Sequence, residues 1–579
     1  MNKVLQPIIE NIPLFIISIL LLGGFDVAYQ QYLFHEIDTF GIIMAYGEIT
    51  LTATLICYIS WLFRKLYLKV FFYVLLFFIY TINLYLTYAY STDITPNILL
   101  ILSETNNKEV SGFFGTIISG TAAFKTIFVV LVLLILTIFG EKYNNRIKKL
   151  VEKPVYKIII SSILLFSIVC GASTFKRYWD LFNYKDPYDS ERWILNKAYF
   201  SKRMPITNLI YSINALHLSS LELNRMIEVT KASLSDIHLI DSDSLNIVLV
   251  IGESYNKYHS QLYGYPLNTT PFQYEEYTKG NLHKFTNIKA PHNMTSVVLK
   301  NVLCCNNVHE NERWFNAPFF PAIFKKAGYD VWLWDNQYQQ DHNHPWNFTL
   351  NSIMFNNTVK QLSYTCINDK GFEFDDDLVR NFEDNELSKL GKHNLIMFHL
   401  WGQHLPANAQ FPKNSKYNIF SIKDIKNEAK YLNDNSRQVI ADYDNATYYN
   451  DQVICHIVNL FKDKNTILIY FPDHGEEVYD YEDSCGRQVF GEVEITPQHI
   501  KYQLEIPFTI WVSETWKKNH EPEWINIGDN IDRAFTTDNI CHMLFRLAGI
   551  KTEQYNNARD LLDKNFIPQT KQYDITSLQ

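Results

Sequence analysis

None of the eight cysteines forms a Cys-x-x-Cys pair, which disfavours a thiolate zinc finger. Basic residues are also short: 52 Lys and Arg face 61 Asp and Glu, leaving a formal charge of −9. A nucleic-acid protein would carry a basic face, so that class is disfavoured and no nucleic-acid partner is expected. No internal repeat or low-complexity tract occurs, which argues against solenoids and compositionally biased linkers. Aromatics, in contrast, reach 15% and crowd into the first third beside long apolar runs. The remainder is charged and rich in asparagine. At 579 residues the chain is too long for one ordinary domain, and its composition already divides it.

Five apolar runs fill the first third, near Ile12–Phe25, Gly41–Phe63, Val70–Tyr90, Thr116–Gly140 and Val155–Ala172. Four approach or exceed the roughly 20 residues that cross a bilayer. By length the first could be a signal-peptide core, but the flanking charges favour a membrane span. Lys3 precedes it, Arg64, Lys65 and Lys69 follow the second run, and Lys142, Arg146, Lys148, Lys149 and Lys153 follow the fourth. The loops after the first and third runs hold only Lys108. This pattern predicts a five-helix transmembrane domain over 1–174, its N-terminus cytoplasmic and everything after the fifth helix outside. On the outer side, Thr105-Asn106-Asn107-Lys108-Glu109 is either a solvated turn or a loop that contacts lipid headgroups. Residues 175–244 read as a linker with interfacial helices, Trp179, Trp193 and Tyr199 suiting the headgroup layer. A domain-packing helix is the alternative. Cys57 and Cys170 fall in apolar runs; Cys304, Cys305, Cys366, Cys455, Cys485 and Cys541 fall in the polar part, where an oxidising compartment permits disulfides without fixing their pairing.

After Asp243 strand and helix alternate. Leu245–Ile251, Tyr329–Trp334, Asn394–Leu400, Thr466–Phe471 and Ile506–Val512 read as strands, with helices through Phe324–Ala327, from about Ala441 to Lys462, and over Thr537–Ala548. The alternation predicts an α/β domain with a mainly parallel sheet flanked by helices. Several strand ends carry polar residues: Gly252-Glu253-Ser254, Asp335-Asn336-Gln337, Gly402-Gln403-His404 and Asp473-His474-Gly475. In open α/β sheets ligands sit outside the carboxyl ends of strands.

A carboxylate and an imidazole side by side, as in Asp473-His474, suit a divalent metal such as zinc, although the same residues also make an ordinary turn. Glu253 can share that metal if its strand neighbours theirs; alone it is a solvated strand end. Thr295 and Ser296 enter a helical run through Leu303. A hydroxyl there is most often a cap, but the position also offers amides to a phosphate and, beside zinc, a nucleophile. His404 and His499 are candidates for phosphate or metal contacts, or surface histidines.

The runs Val250-Ile251-Gly252-Glu253-Ser254, Leu262-Tyr263-Gly264-Tyr265-Pro266, Thr269-Thr270-Pro271, Lys326-Ala327-Gly328-Tyr329, Gly402-Gln403-His404 and Asp473-His474-Gly475-Glu476-Glu477, in this order, resemble the motifs of the membrane phosphoethanolamine transferases. These belong to the sulfatase/alkaline-phosphatase-like superfamily. The resemblance spans nearly the whole chain, including the five-span anchor and the Thr105-Asn106-x-x-Glu109 loop. It implies a sulfatase-like catalytic domain over 245–562, followed by a tail at 563–579. It implies one or two zinc ions, manganese fitting less well, held by Glu253, Thr295, Asp473 and His474, with Thr295 as nucleophile. His404, His499, Asn106 and Glu109 would face the substrate. The implied reaction moves phosphoethanolamine from phosphatidylethanolamine through a phosphothreonine to an envelope acceptor, the lipid A or core of lipopolysaccharide. Its implied place is a bacterial inner membrane, among membrane lipids, with the catalytic domain in the periplasm.

Two departures stand out. Where the family's motifs carry arginine after Glu-Ser and after Gly-Tyr, this chain reads Tyr255-Asn256-Lys257 and Leu267-Asn268, which bears on the phosphate contacts. No Cys/Ser-x-Pro-x-Arg run occurs, so sulfate-ester hydrolysis is disfavoured. The alternatives are a phosphoglycerol transferase of the same fold and a non-catalytic membrane-anchored scaffold.

Overall fold

The computed structural model describes residues 2–25, 39–63, 66–90, 121–187, 204–240, 243–337, 356–413, 416–488 and 494–570, with isolated positions between them. The chain divides into two compact units near Leu221.

The first unit is helical. α1 (Asn2–Glu10) and α2 (Ile12–Ile19) meet at a bend of 80°. Pro13 in the first turn of α2 has no N–H to continue the ladder from α1, and Gly23 beyond it takes φ 99°. The bend lies just before the first apolar run, whose helix continues from Ile12 through Gly24. α3 (Thr39–Leu62), α4 (Leu66–Tyr90), α5 (Thr121–Lys142) and α6 (Pro154–Gly171) follow. Among the described residues, four helices are long and apolar enough to cross a membrane, and the bent pair counted as one span would make a fifth. On α5, Phe128, Leu131, Ile135 and Phe139 all stand exposed, as on a helix whose solvent is lipid.

The linker departs from expectation at one residue. Trp179 is exposed, as an interfacial residue would be, but Trp193 is buried. Its indole donates to the Arg177 carbonyl at 2.9 Å, stacks 6.2 Å from Tyr211, and lies 5.2 Å from the Arg177 guanidinium. Here the packing alternative holds. Asn106, Glu109 and Tyr199 lie outside the described residues. The 28-residue α7 (Pro205–Ala232) leads into the second unit.

The second unit is built on a seven-stranded sheet. Its strands are β1 (Leu245–Gly252), β2 (Leu282–Lys284), β3 (Asp330–Asp335), β4 (Cys366–Ile367), β5 (His393–His399), β6 (Thr466–Pro472) and β7 (Thr509–Val512). They lie in the order β2-β7-β6-β1-β5-β3-β4. From β6 to β4 the pairings are parallel, whereas β7 runs antiparallel to both its neighbours. β7 is shorter than the Ile506–Val512 run because Pro507 has no N–H for the ladder. Successive side chains of a strand face opposite ways, yet every residue of β1 and β6 is buried, so both faces of the central sheet are covered.

One face packs Val248, Val250, Ile396, Phe398, Trp332 and Tyr470 against α9 (Asp375–Asn385) and α10 (Asp434–Phe461). α10 starts well before Ala441 because Asn433 and Ser436 form a reciprocal capping box. α8 (Thr295–Leu303) is buried throughout, and α11 (Ile540–Leu547) follows a separate 3-10 turn at Thr537–Asn539 rather than starting at Thr537. All eight cysteines are free thiols.

Candidate active site at the carboxyl ends of the central strands

β1 and β6 lie side by side in parallel register, with Gly252 opposite Pro472. The next residue of each chain, Glu253 and Asp473, therefore leaves the sheet at the same height, and His474 follows. One ligand atom from each of these three buried residues lies within 4.8 Å of the others. His474 Nε2 is 3.3 Å from Glu253 Oε1 and 3.1 Å from Asp473 Oδ2. Thr295, the first residue of α8, brings its Oγ1 to 3.1 Å from Glu253 Oε2 and 3.3 Å from His474 Nε2. The four residues named from the sequence thus converge on one point.

Backbone geometry holds them there. Ser254 takes φ 55°, uncommon for a residue with a Cβ, and its N–H donates to Asp473 Oδ1 at 3.1 Å while its hydroxyl donates to Glu253 Oε1 at 2.7 Å. Gly402 has to be glycine: at φ 50°, a Cβ would sit 2.8 Å from both the N and O of Glu253. Gly475 meets the chain rather than an open ligand space, since a Cβ there would lie 2.2 Å from the Tyr502 carbonyl oxygen.

The donor set fits a divalent cation. His474 Nδ1–H donates to Gly475 O at 2.8 Å, which turns the Nε2 lone pair toward the carboxylates. Asp473 Oδ1 is used by two backbone amides, whereas the buried Oδ2 accepts no hydrogen bond among the described residues. Two carboxylates and an imidazole buried together are costly unless a cation is shared among them. The titration of the group reflects this. Burial opposes the Glu253 anion, but His474, His404 and Arg487 hold its carboxyl well below the usual range. Burial and the Glu253 charge push Asp473 up. Burial and Arg487 work against the His474 cation, yet Asp473 and Glu253 raise its imidazole to about 9.

The two further histidines are placed differently. His404 is half-buried, its ring 5.4 Å from Trp401, and its charge reaches Glu253. His499 closes a capping box with Thr496, its Nδ1 accepting from the Thr496 N–H at 3.2 Å, and makes no hydrogen bond or ion pair with the four converging residues among those described. Several residues of the site carried no role in the sequence reading. Gln337 Nε2 donates to Glu253 Oε2 at 3.1 Å and Leu400 O at 2.8 Å. His399 at the end of β5 pairs with Asp335 at 2.7 Å. Both sit at polar strand ends, which was the available signal. Arg487, against Glu476 and His474, left none, because its run Cys485-Gly486-Arg487 matches no spacing rule.

Residues 245–550 match the family model described as sulfatase. The chain belongs to the sulfatase family. This sulfatase-family chain is 25% identical over 498 residues to phosphoethanolamine transferase EptC of Escherichia coli strain K12, a match covering 83% of this chain and 80% of that one. It is 26% identical over 286 residues to the Kdo(2)-lipid A phosphoethanolamine 7''-transferase of Salmonella typhimurium, covering 48% and 46% of the two chains. Among solved structures, the zinc complex of the C-terminal periplasmic domain of Escherichia coli EptC aligns with a TM-score of 0.48 at 27% identity, over 58% of this chain and 91% of that one.

Proposed function

We propose that the protein transfers phosphoethanolamine from phosphatidylethanolamine to a cell-envelope acceptor through a phosphodiester on Thr295. One observation carries this reading: a threonine hydroxyl at a helix N-terminus, within hydrogen-bond reach of Glu253 and His474 in a buried metal-ligand set. The phosphoethanolamine transferases among the relatives supply the transferred group, and the lipid A transferase supplies the acceptor class.

Glu253, Asp473, His474 and the Thr295 oxygen would hold one or two zinc ions, which supply Lewis-acid charge at the hydroxyl and the phosphoryl oxygens. The residues themselves do the rest. Thr295 Oγ bonds to phosphorus as the P–O bond to the lipid's glycerol oxygen breaks. The hydroxyl proton passes along the existing hydrogen bond to Glu253, and protonated His404 gives its proton to the departing diacylglycerol oxygen. In the second half an acceptor hydroxyl attacks phosphorus and its proton returns to His404, while Thr295 Oγ leaves and recovers its proton from Glu253. The amides of the first turn of α8 face the charge that develops on the phosphoryl oxygens. His499, Asn106 and Glu109 complete the substrate side in this reading.

Residues 1–174 are taken as a five-helix membrane anchor, 175–244 as a linker, and 245–562 as the catalytic domain at the outer face of the inner membrane. The basic loops on one side support that orientation. Both substrates are lipids, so an anchor that confines the enzyme to their membrane raises their effective concentration. Mass spectrometry of enzyme quenched with phosphatidylethanolamine tests the reading. Phosphoethanolamine on the Thr295 peptide is expected; phosphoglycerol there would change the donor, and an unmodified peptide at full turnover would sink the covalent route.

A further inference from the structure

Arg487 has a built setting. Its Nε lies 3.2 Å from Glu476 Oε2 and its Nη1 donates to the Asn293 carbonyl at 2.8 Å; the same nitrogen meets His474 Nε2, a lone pair that a zinc ion would take, which would leave the Glu476 and Asn293 contacts to hold the guanidinium. Asn293 Nδ2 returns two hydrogen bonds, to Gln488 O at 2.8 Å and to Gln503 Oε1 at 2.7 Å, and Gln488 N donates to that same Gln503 oxygen at 3.2 Å. Asn293 stands just before Met294 and Thr295 in the chain, so this lacing holds the guanidinium beside the segment that carries Thr295, whose Oγ1 also lies 3.3 Å from His474 Nε2. The other edge is open: Nη2 makes no hydrogen bond among the described residues, and the side chain keeps 19% of its exposure.

Charge decides what that edge is for. Glu253, Asp473 and Glu476 are all buried around this point, so a phosphodiester anion approaching Thr295 meets carboxylates. A guanidinium stays charged at any working pH, and the free Nη2 carries two N–H donors for the phosphate oxygens. Lys257, the basic residue nearest Glu253 in sequence, is committed elsewhere: its Nζ donates to Thr286 O at 2.6 Å and lies 4.0 Å from Glu505.

We propose that Arg487 binds the non-bridging oxygens of the phosphodiester that Thr295 attacks and stabilises the charge that gathers on them in the transition state. This rests on the phosphoryl-transfer reading above. As a substrate-binding residue, Arg487 differs from a mere counter-ion of Glu476, whose loss would disturb the fold and the metal set together.

The test uses the full chain in detergent micelles, loaded with zinc, as wild type, Arg487→Gln and Arg487→Lys. Binding of inorganic phosphate is measured by calorimetry and turnover with phosphatidylethanolamine by mass spectrometry. Arg487→Gln is expected to weaken phosphate binding about tenfold or more and to lower kcat on the order of 100-fold, with zinc content at the wild-type value and a Tm lowered by the loss of the Glu476 pair. Arg487→Lys, which keeps the charge and loses the fork, is expected to recover part of both. Unchanged phosphate affinity in Arg487→Gln overturns the proposal, as does a loss of zinc that parallels the loss of activity in both variants. Should Arg487→Gln fail to fold, Arg487→Lys carries the test, and phosphate affinity equal to wild type overturns the proposal there. A wild-type protein that binds phosphate through Arg487 but does not turn over phosphatidylethanolamine would refute the donor and leave this assignment standing.

Discussion

Thr295 Oγ1 sits within 3.3 Å of a carboxylate and an imidazole, neither of which is needed to cap a helix. If the hydroxyl is the nucleophile, Thr295→Ala should lose the phosphoethanolamine adduct and lower turnover by about 1000-fold or more, while Thr295→Ser retains measurable activity. Quenched-flow mass spectrometry reads both. A second buried group sets a pH dependence away from the chemistry. His259 Nδ1 lies 2.7 Å from Asp444 and Nε2 lies 3.3 Å from Asp480. Burial opposes its charge, but Asp480 and Asp444 more than offset that and raise the imidazole to about 10. The folded value lies above the unfolded one near 6.5, so this stabilisation is fully present below about pH 6.5 and is lost as pH rises toward 10. Thermal unfolding of His259→Gln against wild type should therefore show a deficit of about 3 kcal/mol near neutral pH that shrinks toward pH 10. A deficit independent of pH would count against the ion-pair account.

At the scale of elements, the site depends on how closely the Gly402 turn approaches the end of β1. Gly402→Ala would place a Cβ against the Glu253 backbone in a left-handed conformation. The expected cost is about 1–3 kcal/mol in stability. Displacing Glu253 by a fraction of an ångström should also lower turnover on the order of 100-fold, with weaker zinc binding in a chelator competition. A variant with wild-type zinc affinity and turnover would show that the turn merely tolerates glycine. Gln337, which ties the same carboxylate to the end of β5, belongs to this level as well.

For the whole molecule, three buried ligand groups of opposing charge make metal binding and folding one equilibrium. Chelation of zinc should abolish transfer, with activity restored by added zinc. Zinc at 100 times its Kd should raise the stability of the second unit by about 2.7 kcal/mol, seen as a higher Tm. Titrations near pH 6 should show weaker zinc binding than near pH 9, because the protonated His474 competes for the same Nε2 lone pair. A Tm indifferent to zinc would remove the metal from the account.

The amino-acid order alone determined what depends on neighbours in sequence. Apolar runs of bilayer length, strand runs of β-branched residues and the polar clusters at their carboxyl ends are local patterns, and they placed Glu253, Thr295, Asp473 and His474 at strand and helix ends. Local patterns also erred where a single residue interrupts hydrogen bonding, as at Pro507, or where a cap extends a helix, as at Asn433. The tertiary structure decided which ends meet. β1 and β6 are more than 200 residues apart yet adjacent in the sheet, an order no local rule contains. It likewise turned Trp193 inward and brought Arg487 beside His474, since burial and ion pairing depend on what packs opposite a side chain, and sequence spacing does not record that.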